Sequence, residues 1–167
     1  MSRSLTGIAA ELEALALLDF DPMNINADGA GRLQEICAEL VERDDPERWA
    51  PLLYSLMERL DAADMGSPGP IVHLLEAWGG HPPLLAESLR RKPTPMTVWM
   101  ANRLLNTGPS DAPEWLELLR RAVWHSAASP EAQADARDFL EHQAHAGHKT
   151  PSNVVNQPPM LAAGDGV

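Results

Sequence analysis

One cysteine, one tyrosine and two phenylalanines among 167 residues leave few ways to build this protein. A single Cys37 excludes an intramolecular disulfide, and its place in the helically spaced set Leu33, Ile36, Cys37, Leu40 and Val41 reads as a small buried hydrophobe, not a reactive thiol. Strand signals are missing too: no alternating β-branched run and no Asn-Gly hairpin turn occur. No apolar run is long enough to cross a bilayer. The opening MSRSLTGIAAELEALALL carries Glu11 and Glu13 and no basic segment before an apolar one, so no secretory signal is expected and the expected location is the cytoplasm. Positive charge is scarce as well. Thirteen Lys and Arg stand against 24 Asp and Glu, a net charge of −11, and Arg90-Arg91-Lys92 is the one basic run. That balance argues against direct nucleic-acid binding, which needs a basic face.

The acidity is uneven. Residues 1–66 hold 14 acids against 5 bases, residues 67–128 hold 5 against 6, and residues 129–167 hold 5 against 2. An acidic first third suits a basic partner, although a solvated surface would have the same composition.

Helical spacing runs through most of the chain. A first helix is expected over Ser4 to Leu18, with Leu5, Ile8, Leu12 and Leu15 on one stripe and Phe20-Asp21-Pro22 as its stop. The second carries the Leu33 to Val41 stripe, with Glu35, Glu39, Glu42 and Arg43 opposite. Asp45-Pro46-Glu47 opens a third, in which Trp49, Leu52, Leu53, Leu56, Met57 and Leu60 form the clearest stripe. Gly66 and Pro68-Gly69-Pro70 separate this from a short fourth helix built on Ile71, Leu74, Leu75 and Trp78. Gly79-Gly80 ends that helix and Pro82-Pro83 opens a fifth, which carries Leu84, Leu85 and Leu89. Thr94-Pro95 caps a sixth, Met96–Leu105, whose apolar residues lie on more than one side, so it is expected at the centre of the fold. Asp111-Ala-Pro-Glu114 reads as an acidic capping box for a seventh helix with Trp115, Leu118, Leu119, Ala122 and Val123. Ser129-Pro130-Glu131 begins the last, with Ala132, Ala136, Phe139 and Leu140.

The expected fold class is therefore all-α: about eight helices as stacked antiparallel hairpins, arranged either as an irregular HEAT-like array or as an orthogonal bundle. Residues 1–146 read as a single helical domain. Residues 147–167, without periodicity and rich in Pro, Gly and Asn, read as an extended or flexible tail.

Catalytic constellations are not evident, and no cofactor or metal is called for. His142, His145 and His148 recur at threes near the end of the last helix, but the third follows Gly147 and no cysteine accompanies them, so a solvated helix end is the simpler reading. His73 and His125, set among apolar neighbours, lack a nucleophile in a recognisable turn. Of the five tryptophans, Trp49, Trp78, Trp99 and Trp115 fall on packing stripes. Trp124 lies off its stripe and is expected to be exposed or to cover the C-terminal segment.

The stretch Gly66-Ser-Pro-Gly-Pro70 with Val72-His73, then Glu87-Ser-Leu-Arg-Arg-Lys-Pro-Thr-Pro95 and Thr97-Val-Trp-Met-Ala-Asn-Arg-Leu-Leu-Asn106, resembles small all-helical immunity proteins of bacterial polymorphic toxin systems, including contact-dependent, Rhs and type VI effectors. The resemblance covers about a quarter of the chain. It implies a non-enzymatic cytoplasmic protein that binds a cognate toxin domain and blocks its active site or substrate access; the acidic first third adds the expectation that this domain is basic. Glu35, Glu39, Glu42, Glu58, Asp61 and Asp64 are the acids best placed to meet such a partner, followed by the loops Gly66–Pro70 and Gly79–Pro83. A non-enzymatic helical scaffold or adaptor binding a peptide or assembly partner is the alternative. A small hydrolase using His73 and His125 is a third class, without a supporting motif.

Overall fold

A computed structural model describes residues 3–66 and 68–147, and among these the chain is helical without a strand. The helices are α1 (Leu5–Ala14), α2 (Gly29–Val41), α3 (Pro46–Arg59), α4 (Gly69–Trp78), α5 (Pro82–Arg91), α6 (Pro95–Leu105), α7 (Ala112–Ala122) and α8 (Pro130–Gly147), with a 3-10 turn at Leu17–Phe20 between the first two. From α3 onward every helix has proline at its first or second position, where the missing N–H removes no helical bond. The tail expected over residues 147–167 lies, apart from Gly147 itself, outside the described residues.

Local chemistry sets several helix ends. Thr94 and Thr97 cap each other reciprocally: the Thr97 amide donates to Thr94 Oγ1 at 3.1 Å and the Thr94 amide to Thr97 Oγ1 at 2.9 Å. Gly79 closes α4 at φ 74°, a conformation that costs glycine nothing. Other ends depart from the sequence expectation. Asp45 does not cap α3; its carboxylate grips Arg43 at 2.9 and 3.1 Å. Asp111 does not complete a capping box either, because it accepts the Trp115 indole N–H at 3.0 Å. In both cases a cationic or aromatic donor outcompetes the first-turn amides. The first helix ends at Ala14, four residues early, and α3 supplies its cap: the Arg59 guanidinium donates to the Leu12 and Leu15 carbonyls, each at 2.7 Å.

Packing follows a regular order. α1 lies on α3, α3 on α5 and α5 on α7, while α2 lies on α4 and α6 on α8. The Glu76–Arg103 pair, at 2.7 and 2.8 Å, bridges α4 to α6. Odd helices thus neighbour odd and even neighbour even, as in a two-layered array of hairpins. The buried set includes Ile8, Leu12 and Leu15, then Leu33, Ile36 and Leu40, and the α3 residues Trp49, Ala50, Leu53, Tyr54, Leu56 and Met57. Trp49 and Trp78 meet at 6.0 Å between ring centroids, tilted by 58°. Cys37 is buried, and burial pushes its thiol up to about 12, so it stays an inert thiol.

Two placements differ from expectation. Helix α6 touches α5, α7 and α8 but is not enclosed: Met96, Trp99 and Leu104 are half-buried. Arg103, one turn beyond Trp99, lies over its ring at 4.8 Å and screens that flank instead of another helix. Val41, expected on the α2 stripe, is 58% exposed: it is the last residue of α2 and lies off the buried line that Leu33, Ile36, Cys37 and Leu40 form.

Candidate partner-binding surface

Basic side chains of this chain already hold three of the six acids singled out from sequence. Glu39 takes the Arg3 Nε–H at 2.9 Å and its amide at 3.2 Å, and Arg3 also reaches Glu11. That guanidinium holds the Glu39 carboxyl below its usual range. Glu58 accepts from Ser88 Oγ at 2.6 Å and from Arg91 at 2.8 and 2.7 Å. Asp61 pairs with Lys92 Nζ at 3.1 Å. Arg91 and Lys92, from the one basic run in the sequence, thus tie α5 to α3 and the turn after it. Glu35 on α2 and Glu42 just past its end are exposed, and the exposed Asp64 accepts the Gly66 amide at 3.0 Å.

The structure also gathers acids that are remote in sequence. Asp61 and Asp64, in the turn after α3, face Glu131 and Asp135 of α8 across a groove of about 310 Å³. Its apolar lining is Met65, Met96, Trp99 and Phe139. Glu131 and Asp135 are one turn apart, so their charges repel. Burial, together with Glu131 and Asp138, holds the Asp135 carboxyl above its ordinary range. Neither Glu131 nor Asp135 forms an ion pair within 4.0 Å among the described residues. Sequence reasoning missed the α8 contribution because nothing local places Glu131 opposite Asp64. The like-charge spacing of Glu131, Asp135 and Asp138 was the available signal.

The exposed apolar surface between α1 and α2 was not anticipated either. Leu17, Leu18, Met23 and Ile25 all point to solvent, Ile25 being 97% exposed. Leu15 and Phe20 turn inward from this segment, Phe20 against α2, where Gly29 leaves it room.

The histidines divide by environment. His73 is exposed. His125 is half-buried, with Nδ1 accepting the Ala127 amide at 3.2 Å, which leaves Nε2 to donate to the Arg90 carbonyl at 3.0 Å. His145 Nδ1 donates to the Glu141 carbonyl at 2.7 Å, and His148 lies outside the described residues. Among the described residues no group of three or more His, Cys, Asp or Glu is placed to hold a metal ion. No helix among them is long and apolar enough to cross a membrane. Comparison with protein families, curated proteins and solved structures finds no match to the chain.

Proposed function

We propose that this protein is a non-enzymatic binding module whose partner is a basic protein domain, and that it acts as an immunity protein neutralising a toxin domain. The observation that supports this most is the groove between the α3–α4 turn, α6 and α8. Carboxylates from two distant segments surround an apolar floor, and three of the four, Asp64, Glu131 and Asp135, have no cation of their own among the described residues. A lysine or arginine entering it would lay its aliphatic stem on Met96, Trp99 and Phe139 and bring its charge to Glu131 and Asp135. Desolvating those carboxylates without a cation is unfavourable, so a basic side chain relieves a repulsion already present in the free protein. The acidic first third would speed encounter from a distance. The toxin identity rests on the sequence resemblance of residues 66–106. The adaptor reading shares the groove and differs only in the partner.

The test is co-expression with the product of the upstream open reading frame, scored by growth and by co-purification. Glu131→Lys with Asp135→Lys should abolish co-purification and protection while the circular dichroism melt stays close to the parent. Protection by the variant at parental level would remove the groove from the interface. Failure of the parent itself to protect or to bind would leave the adaptor reading.

A further inference from the structure

Helix α8 carries two differently charged flanks. Glu131, Asp135 and Phe139, spaced by four, lie on one side, and Ala132 and Ala136 are buried beneath. Arg137 and Leu140 lie on the other. There α8 and the end of α7 border a shallow groove of about 860 Å³ lined by Glu117, Arg120, Arg121, Val123, Trp124, His125, Arg137 and Leu140. Trp124 is 83% exposed.

Ordinary structural roles do not account for this surface. Arg120 and Arg121 suit the negative end of α7, but they share a single carboxylate, Glu117, at 3.6 and 3.1 Å. Arg137 is exposed in the body of α8, away from the helix ends, and forms no ion pair among the described residues. Trp124 is presented from an ordered turn. His125 ties that turn to the Arg90 carbonyl at 3.0 Å and to the Ala127 amide at 3.2 Å, and Gln133 donates to the His125 carbonyl at 3.1 Å. An exposed tryptophan that shares a groove with three arginines has the composition of an interface centre, and the hydrogen-bonded turn that carries it lowers the entropy cost of binding.

We propose that this surface docks an acidic segment of a partner protein, with an apolar side chain seated on Trp124 and carboxylates on Arg120, Arg121 and Arg137. Charge complementarity selects that occupant. Three arginines against one glutamate form a local positive patch on a protein of net charge −11. The same net charge disfavours an anionic bilayer, which would meet the whole acidic molecule and not the patch alone. The site is independent of the acidic groove, whose partner has the opposite charge.

The probes are three: a peptide of glutamates flanking a central Leu-Phe pair, its counterpart with lysines, and vesicles of equal parts phosphatidylcholine and phosphatidylserine. Binding is read from the Trp124 indole resonance, assigned with Trp124→Phe. The acidic peptide should shift that resonance, bind more weakly as salt rises, and, by fluorescence anisotropy of the labelled peptide, lose roughly tenfold in affinity with Trp124→Ala or with Arg120→Glu plus Arg137→Glu. Unchanged melting temperatures would show that these variants remain folded. No shift with the acidic peptide, an equal shift with the lysine peptide, a response to vesicles alone, or undiminished binding by the variants would each overturn the assignment.

Discussion

Replacing Glu58 with alanine separates the partner-binding role expected from sequence from the structural role the fold gives it. Its carboxylate is only 13% exposed and accepts from Ser88 and Arg91, so it joins α3 to α5. Ser88 is fully buried, and leaving its hydroxyl without that acceptor costs about 1–3 kcal/mol. Arg91 is 56% exposed, so solvent screening holds its pair to roughly 0.2–1 kcal/mol. The backbone contact from Lys92 Nζ to the Glu58 carbonyl, 2.6 Å, survives the substitution. The expected loss is therefore about 1.2–4 kcal/mol, a fall in Tm of roughly 3–16 °C for a domain of this size. Thermal denaturation followed by circular dichroism measures it. Ser88→Ala in the same background should recover part of the loss, since removing both partners leaves no orphaned hydroxyl. A Tm within about 2 °C of the parent for Glu58→Ala, unchanged by Ser88→Ala, would refute the structural role and return the carboxylate to the surface set.

Two further perturbations test how the helices meet and how buried polar groups are held. Gly29→Ala would normally strengthen a helix, but an added Cβ would lie 2.7 Å from the Asp19 carbonyl oxygen and 2.9 Å from the Phe20 ring. Urea denaturation should show a net loss of about 1–3 kcal/mol, and a gain would mean that the 3-10 turn does not pack there. His81 is buried with Nδ1 unpartnered, and burial, partly offset by Glu76, depresses its pKa in the folded state. The unfolded imidazole binds its proton near about 6.5, so this group's contribution is complete above that pH and is lost as pH falls toward the lower folded value. His81→Leu should flatten the decline in unfolding free energy between neutral pH and pH about 5; an unchanged slope would place the titration elsewhere.

Much of the architecture is legible in the residues themselves. Period-3.6 stripes such as Leu53, Leu56, Met57 and Leu60 name the buried face of a helix because spacing alone brings those side chains together. Proline at the start of α3, α5, α6 and α8 marks boundaries because its constraint acts within one turn. The roles of charged residues were not legible, because they depend on which helix lies opposite. Glu39, Glu58 and Asp61 look like surface acids until Arg3, Arg91 and Lys92 are folded against them, and Arg59 looks like a solvated cation until α1 ends beneath it. Glu131 and Asp135 become a site with Asp61 and Asp64 only when α8 packs on α6. Hydrophobic burial follows a local period, whereas a Coulomb pair or a groove is fixed by distances between segments far apart in sequence, and those distances exist only in the folded chain.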